Sequence, residues 1–276
     1  MAKRVLTTTI ALPTIFVIIY FLPHHSYAAL SALALVAAVA SAFEMHGIFA
    51  KASVHLNRSV PLLIGLMPLA QWIDLEYHVT QPIVNLTMIA LALTFFTIEI
   101  FSGSSDHFKG SLGRISAKAF LIIYPGLLIT YIQRLTSFTF APEALLLFFL
   151  LIFGNDVFAF LFGMWLGKGN RGVVKVSPNK SVAGFVGGTL SAMALGLLFC
   201  LFVPAIKGQY SIPAVLVISL ATATAANIGD LIESAFKRSV DVKDSGHLIP
   251  GRGGLLDSID SMLVGAPIFY LLLTIL

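Results

Sequence analysis

Acidic and basic side chains collect at the end of a long apolar run in the second half of the sequence. Residues 229–238 contain two carboxylates, a hydroxyl and two cations at helical spacing: Asp230, Glu233, Ser234, Lys237 and Arg238. On a helix, Asp230, Glu233 or Ser234, and Lys237 fall on one stripe at spacings of three and four, so an acid and a base can face the same cavity. An ordinary intrahelical ion pair at a membrane surface has the same pattern, and this segment alone does not separate the two interpretations.

A second charged segment, residues 243–260, is rich in glycine. It contains Lys243, Asp244, Arg252, Gly253, Gly254, Asp257 and Asp260. Glycine lets a backbone approach a phosphate closely, and Asp257 and Asp260 share a face in the first turn of a following helix. These two carboxylates could simply complement a helix dipole. Carboxylate oxygens beside Lys and Arg are, however, what a Mg²⁺ site next to a triphosphate needs.

A third candidate is Asp156, which lies with Asn155 inside the apolar run 145–166. A carboxylate at the centre of a membrane helix costs about 2.5–3.5 kcal/mol on insertion scales, so it should face the bundle interior or a water-filled cavity. Hydrogen bonding to a neighbouring helix is the structural alternative. Downstream, Ser177, Asn179 and Lys180 precede another apolar run, where they could hold a phosphate at the start of a helix.

The elements that must position these residues are membrane helices. The chain has 276 residues, of which 58% are hydrophobic and only 11% charged, and its mean hydropathy is +0.93. Because lipid offers no hydrogen-bond partner to the backbone, we predict an all-α, polytopic transmembrane helix bundle. About nine spans can be drawn: 5–22, 28–45, 60–74, 83–101, 118–133, 143–166, 183–204, 211–236 and 256–276.

The positions of Lys and Arg predict the orientation of the chain. With a cytosolic N-terminus, only Arg134 and Lys207 of the 17 Lys and Arg residues fall on the outer side, as expected if cations are retained in the cytosol. The net charge of +4 is spread over short loops beside lipid, which argues against nucleic acid and favours anionic headgroups or a phosphorylated substrate. Glu44 and His46, at the end of the second predicted span, are interpreted as interfacial residues.

No internal repeat or low-complexity tail divides the sequence. We therefore predict a single membrane-embedded domain over residues 1–276. Within it, residues 1–140 form an N-terminal helical half without predicted catalytic residues, and residues 141–276 form the catalytic half that contains the signature.

The segment from Ser234 to Asp260 resembles the signature of the phosphatidate cytidylyltransferase family, also called CDP-diacylglycerol synthases. The family pattern is matched in order by Ser234, Lys237, Arg238, Lys243, Asp244, Pro250, Gly251, Gly253, Gly254, Asp257 and Asp260. The family is also similar to this chain at Asn155-Asp156, at residues 177–181 and at residues 229–234. Two positions depart from the pattern, since Arg252 replaces a His and Ser258 replaces an Arg, so one guanidinium is kept and an imidazole is lost.

The resemblance implies that CTP and phosphatidic acid react to give CDP-diacylglycerol and pyrophosphate, with Mg²⁺ as cofactor. It implies Asp230 and Asp257 as the main metal ligands, with Asp156, Asp244 and Asp260 as further candidates. Lys237 and Arg238 would act at the reacting phosphates, and the remaining predicted phosphate-binding residues are Ser177, Asn179, Lys180, Ser234, Lys243, Arg252, Gly253 and Gly254.

The resemblance also implies an active site on the cytosolic side of the inner membrane, and it favours a homodimer. Three alternatives stay open. The chain could be a related CTP-using lipid kinase or a cytidylyltransferase for another lipid phosphate, it could be a membrane transporter in which Asp156 binds an ion or anionic solute, or it could be a family member that has lost catalysis.

Overall fold

A computed structural model of the protein describes residues 13–102, 108–172, 174–249 and 253–276. Regular structure in these ranges is helical, and the only extended pairings found there are isolated bridges between Arg171 and Ser181 and between Ile249 and Gly253. The helices are α1 (residues 13–21), α2 (His24–Lys51), α3 (Ser59–Ile64), α4 (Leu66–Tyr77), α5 (Ile83–Ser102), α6 (Ser111–Leu121), α7 (Leu128–Arg134), α8 (Ala141–Leu166), α9 (Val182–Phe202), α10 (Pro204–Gln209), α11 (Ile212–Ser239) and α12 (Leu256–Ile275).

Seven helical stretches in the described ranges are long and apolar enough to cross a membrane. They are His24–Lys51, Ile83–Phe101, Ser111–Ser137, Ala141–Leu166, Val182–Phe202, Ile212–Ser239 and Leu256–Ile275. This confirms the predicted helical class, and the protein is a multi-pass membrane protein. The predicted count of about nine spans is not confirmed, because the predicted span 5–22 lies partly outside the described residues and the predicted span 60–74 is divided into α3 and α4.

The division between α3 and α4 occurs at Gly65. Pro68, three residues later, has no backbone N–H and cannot donate to the carbonyl of Ile64, which weakens the helix at this point. A side chain at Gly65 would place its Cβ 2.7 Å from Cγ2 of Val39 in α2. Glycine therefore lets the broken segment approach α2 closely, and a run of apolar residues long enough for one span forms two short helices.

A second proline changes helix geometry without ending the span. Pro125 lies in the π-helical segment Ile122–Leu127, which joins α6 to α7. Because proline removes one i→i−4 hydrogen bond and crowds the preceding turn, the helix widens locally and then continues. The single predicted span 118–133 is accordingly observed as the longer stretch Ser111–Ser137.

The chain divides into two compact units. Unit 1 comprises Met1–Ser137 and Ser239–Ser258, and unit 2 comprises Phe138–Arg238 and Ile259–Leu276. The signature segment, Ser234 to Asp260, is thus shared between the units, with Ser234 and Asp260 in unit 2 and Asp257 in unit 1. We describe each unit by itself.

Unit 1 combines an apolar core with one buried ionic cluster. Met45, Ile64, Met67 and Leu121 have no exposed surface. Glu99 is only 4% exposed and accepts hydrogen bonds from Lys118 Nζ at 2.8 Å and from Arg114 Nε at 2.8 Å. A carboxylate with two cationic donors is satisfied in a region where an unpaired charge would be very unfavourable, so this cluster ties α5 to α6.

Unit 2 packs α8 against α9 through small residues. The backbones approach so closely that a Cβ at Gly184 would lie 2.8 Å from the carbonyl oxygen of Ala159, and one at Gly188 would lie 2.7 Å from that of Asn155. Such close contacts between membrane helices depend on glycine at the interface. They fix the position of Asp156 on α8 relative to the start of α9.

Candidate active site

A cavity of about 550 Å³ lies in unit 2. Its polar lining comes from α8, from the loop between α8 and α9 and from α11, and consists of Asp156, Arg171, Asn179, Lys180, Ser181, Asn227 and Asp230. Apolar residues of α8, including Phe160 and Met164, complete the wall. A concave site of this volume with a few convergent polar groups is typical of a small-molecule or cofactor site.

Lys180 and Asp230 form an ion pair within this cavity. Nζ of Lys180 donates to Oδ2 of Asp230, and both side chains are partly exposed, at 25% and 37%. The ammonium also lies 5.6 Å from the ring centroid of Phe185, which adds a cation–π attraction. The predicted phosphate-binding lysine and the predicted metal-binding aspartate are therefore adjacent, although 50 residues separate them in the sequence.

The loop that carries Lys180 is held by backbone hydrogen bonds. The N–H of Lys180 donates to the carbonyl of Ser177 at 3.0 Å, which closes a turn, and the bridge between Arg171 and Ser181 joins the two ends of the loop. Ser181 then caps α9, since its Oγ accepts from the N–H of Gly184 at 3.0 Å. Ser177 thus shapes the loop, while Asn179 and Lys180 reach the cavity.

A network of side-chain amides holds Asp156. Nδ2 of the fully buried Asn155 donates to Oδ1 of Asp156 at 3.3 Å and to Oδ1 of Asn227 at 3.0 Å. Nδ2 of Asn227 in turn donates to Oγ1 of Thr189 at 3.3 Å. Three helices of unit 2 therefore contribute to the orientation of one carboxylate, which agrees with the hydrogen-bonding alternative for Asn155 and leaves Asp156 at the cavity wall.

Asp260 is the third carboxylate of this region of unit 2. It is only 6% exposed, and its Oδ1 accepts from the N–H of Ser261 at 2.6 Å. Asp230, Asp156 and Lys237 are its charged neighbours. Three carboxyl groups of unit 2 therefore lie close to one another.

The stripe on α11 also contains a buried ion pair. Oε2 of Glu233 lies 2.5 Å from Nζ of Lys237, and the side chains are 1% and 12% exposed. Ser234 is buried beside them, whereas Arg238 is exposed. The intrahelical ion pair that was one of the two interpretations of this segment is therefore present, and it is enclosed in unit 2 instead of lying at a surface.

In unit 1, the described residues 243–249 and 253–258 belong to a segment that we call the signature loop, whose last residues begin α12. Oδ2 of Asp257 accepts hydrogen bonds from the N–H of Ser245 at 3.0 Å, from the hydroxyl of Ser245 at 3.1 Å and from the N–H of Gly254 at 2.7 Å. Gly253 has φ +104°, and a Cβ there would lie 2.6 Å from Oδ2 of Asp257. One oxygen of Asp257 therefore organises the loop, and the positive φ and the close approach explain why glycine occupies position 253.

The other predicted residues of the signature loop differ in solvent exposure and in hydrogen bonding. Lys243 and Asp244 are exposed, and Asp244 packs against Gly253. Arg252 lies outside the described residues. Ser258, the second departure from the family pattern, has a buried hydroxyl that finds no hydrogen-bond partner among the described residues.

Glu44 in α2 contacts the signature loop within unit 1. Its Oε1 accepts from the N–H of Leu255 at 2.8 Å, and its Oε2 accepts from the N–H of Leu256 at 2.9 Å and from the hydroxyl of Ser245 at 2.8 Å. The interpretation of Glu44 as an interfacial residue did not include this contact. An acidic residue at the end of an apolar span was the one available signal.

The structure therefore gathers the predicted residues into two groups. Asp156, Asn179, Lys180 and Asp230 line the cavity of unit 2, whereas Asp244, Gly253, Gly254 and Asp257 belong to the signature loop of unit 1. Sequence reasoning missed Arg171 and Asn227 in the first group. A polar amide within the apolar run 211–236 is a signal that could have identified Asn227. Over the described ranges, no three His, Cys, Asp or Glu residues are arranged as a preformed metal site.

We expect Gly229→Ala to disturb the region around Asp230. A Cβ at Gly229 would lie 2.5 Å from the backbone oxygen of Asp260, so α11 and α12 would have to separate in unit 2. Overpacking of this kind costs about 1–3 kcal/mol, and a lower midpoint of thermal unfolding in detergent is the expected result. Gly208→Ala is the matched control, since nothing lies within 4 Å of a Cβ at that position. Equal unfolding midpoints for the two variants would contradict the close helix contact.

Comparison with known proteins finds similarity to cytidylyltransferases. The family model described as "Cytidylyltransferase family" matches residues 2–276. A phosphatidate cytidylyltransferase of Staphylococcus aureus is 31% identical over 218 residues, which cover 78% of this chain and 80% of the relative. Those of Haemophilus influenzae and Bacillus subtilis are 40% and 42% identical over 141 and 126 residues, covering 49% and 45% of both chains. The chain thus aligns with about half the length of these two relatives.

Proposed function

We propose that this chain, which belongs to the cytidylyltransferase family, transfers the cytidylyl group of CTP to phosphatidate and so makes CDP-diacylglycerol and pyrophosphate. The single observation that carries the proposal is the cavity of unit 2. It brings Asp156, Lys180 and Asp230 together from three separate segments, each of which resembles the family at those positions. The named activity of the relatives supplies the substrate class.

The main barrier to this reaction is electrostatic repulsion between two anionic reactants, and proton transfer contributes little. A phosphate oxygen of phosphatidate attacks the α-phosphorus of CTP, the new O–P bond forms, and the bond from that phosphorus to the β-phosphate oxygen breaks to release pyrophosphate. The nucleophile is already anionic, so its deprotonation contributes little to the barrier. Two anions must instead be held together in line, which fixed positive charge accomplishes by neutralisation and positioning.

Cationic side chains of the cavity can provide that charge. Lys180 and Arg171 line it, and Arg171 is further anchored by donation from its guanidinium to the carbonyl of Gly163 at 3.4 Å. We assign both to substrate phosphates, together with Asn179 as a neutral donor. Lys237, Arg238, Lys243, Arg252 and the glycines of the signature loop remain further candidates from the family resemblance.

The residues around Asp230 fit a divalent cation. An ammonium group already stands against Asp230, and the carboxyl groups of Asp156 and Asp260 are neighbours of that residue. Carboxylate oxygens are the donors that Mg²⁺ prefers, and this ion commonly takes one or two carboxylates together with substrate phosphates, so a three-carboxylate cage is not required. When bound, Mg²⁺ would neutralise charge on the nucleotide phosphates. We propose Asp230 as its principal ligand, with Asp156 and Asp260 as neighbours. Asp257 and Asp244 remain metal-ligand candidates from the sequence.

Lys180 would then have two alternative partners. Without nucleotide its ammonium pairs with Asp230. With nucleotide, Lys180 would turn to a phosphate oxygen, and Asp230 would then be available to hold a metal ion. Each group exchanges one oppositely charged neighbour for another, so neither is left unpaired in the cavity. This exchange would favour binding of nucleotide and metal together over binding of either one alone.

The distribution of cations supports a cytosolic active site. Of the site residues, Arg171, Lys180, Lys237 and Lys243 belong to the set of Lys and Arg that the predicted topology assigns to the inside. CTP is a cytosolic substrate by its charge, whereas the acyl chains of phosphatidate stay in hydrocarbon. We therefore place the reaction at the cytosolic face of the inner membrane, and we retain the homodimer as part of the proposal.

Product analysis tests the proposed reaction directly. Purified full-length protein is incubated with phosphatidate, Mg²⁺ and CTP labelled at either the α- or the γ-phosphate. We expect α-label in the lipid fraction and γ-label in pyrophosphate. A CTP-using lipid kinase would instead move γ-label into lipid and release CDP, and a transporter would carry solute into sealed vesicles without consuming CTP. Absence of α-label in lipid would overturn the proposal, including the case of a family member without catalysis.

A further inference from the structure

We infer that Glu44 is a positioning residue for the signature loop, and through it for Asp257. The inference rests on the proposed function, because the loop is assigned to substrate phosphates and metal there. Glu44 lies in the N-terminal part of the sequence, 201 to 212 residues before the groups it contacts. Nothing in the reaction uses Glu44 directly.

The carboxylate of Glu44 supplies acceptors that the loop itself lacks. Leu255 immediately precedes α12, and Leu256 is its first residue. The first amides of a helix have no hydrogen-bond partner within the helix. The adjoining Gly254 and Leu255 have no side-chain oxygen that could cap them. Asp257, the nearest acid, turns one oxygen back to Ser245 and Gly254. Glu44 therefore caps α12 from a distant helix.

Ser245 couples Glu44 to Asp257. The hydroxyl oxygen of Ser245 lies 2.8 Å from Oε2 of Glu44 and 3.1 Å from Oδ2 of Asp257. A hydroxyl has one proton and can donate it to only one of these carboxylates at a time. The two acids are thus held on either side of one shared donor, so a change in the charge or position of Glu44 alters the hydrogen bonding of Asp257.

The glycines of the loop fit the same arrangement. A Cβ at Gly246 would lie 2.8 Å from Oε1 of Glu44, and a Cβ at Gly254 would lie 2.3 Å from Oε2. Any side chain at these positions would displace the carboxylate. The loop backbone is therefore packed directly on Glu44. This contact is a reason for glycine at positions 246 and 254 that does not depend on phosphate binding.

The test compares Glu44→Gln with Glu143→Gln, the same change in the first turn of α8 in unit 2, at a residue that belongs to no proposed site. Glutamine keeps the length of the side chain but replaces one acceptor oxygen with an NH₂ donor that faces another donor. We expect kcat to fall about 10- to 100-fold, as for other residues that orient a site, with KM for CTP changing less. Glu143→Gln should leave both constants unchanged.

A second readout does not depend on catalysis. In the protein without substrate, amide hydrogen exchange at residues 254–257 should become at least about ten-fold faster in Glu44→Gln, while exchange in α8 and α9 stays unchanged. Wild-type exchange and wild-type kcat in Glu44→Gln would overturn the inference, and so would faster exchange throughout the chain, which indicates general destabilisation. If the wild-type protein made no CDP-diacylglycerol, the proposed function would fail, yet the exchange result would still decide the role of Glu44 in the loop.

A double-mutant cycle tests the coupling through Ser245. If Glu44 acts on Asp257 through the shared hydroxyl, Glu44→Gln and Ser245→Ala will be non-additive, and the double variant will lose little more activity than the more impaired single variant. Strictly multiplicative losses in kcat would overturn the coupling. Gly47→Ala on the same helix is the control, since nothing lies within 4 Å of a Cβ at that position.

Discussion

Asp230→Asn is expected to lower CTP-dependent formation of CDP-diacylglycerol on the order of 100- to 1,000-fold or more, while the protein still inserts and stays monodisperse in detergent. The substitution keeps the shape of the side chain and removes the charge that pairs with Lys180. It leaves the cavity with one anionic ligand fewer for a divalent cation and with an ammonium whose partner is neutral. Initial rates at saturating CTP, phosphatidate and Mg²⁺ measure the loss.

Glu143→Gln is the matched control for this prediction, because it removes a carboxylate charge elsewhere in unit 2. Raising the Mg²⁺ concentration should recover part of the activity of Asp230→Asn if the residue binds the metal, whereas a purely structural role predicts no recovery. Normal turnover by Asp230→Asn would remove Asp230 from the site.

Asp257→Asn separates two roles of one side chain. The first is to accept hydrogen bonds from the signature loop, and the second is to supply a negative charge. Asparagine can place its single carbonyl oxygen where Oδ2 of Asp257 accepts from Ser245 and Gly254, so the signature loop should keep its order. The charge is lost, and we expect turnover to fall on the order of 100-fold or more if Asp257 contributes to metal or phosphate binding. Amide exchange at residues 245–256 monitors the loop, and product formation monitors the reaction.

Two comparison variants make this result decisive. Asp257→Ala removes the acceptor as well as the charge, so it should increase exchange in the loop in addition to abolishing turnover. Asp74→Asn is a matched control, since Asp74 also accepts hydrogen bonds from two backbone amides, those of Ile83 and Val84, and belongs to no proposed site. Full turnover by Asp257→Asn would assign Asp257 to loop structure alone.

Local sequence patterns predict the helices and part of the cavity well. A long and mainly apolar run is sufficient to define α8, α9, α11 and α12, because in lipid such a run must form its own backbone hydrogen bonds. The same patterns fail at Gly65, where one glycine and a nearby proline divide an apolar run that composition alone treats as one span. Helix breaks depend on individual backbone groups, which average hydropathy does not detect.

Site residues can be predicted where a charged side chain interrupts an apolar run. They cannot be predicted where their role depends on contacts between residues far apart in the sequence. Asp156 is noticeable because a carboxylate in an apolar run is costly, and it does line the cavity. Arg171 resembles any cation of an inner loop, and Glu44 resembles any acid at the end of a span. Their roles arise from tertiary packing, which for Glu44 joins residues more than 200 positions apart, and no local pattern encodes that pairing.

The capping of α12 by Glu44 has a consequence for exchanging parts between relatives. Every residue of the signature motif lies after position 140, so a chimaera that joins the second half of this chain to the first half of another relative would preserve the whole motif. It would preserve the capped loop only if the donor of the first half also provides a carboxylate at the position of Glu44. Chimaeras should therefore divide into functional and defective classes according to that one inherited side chain.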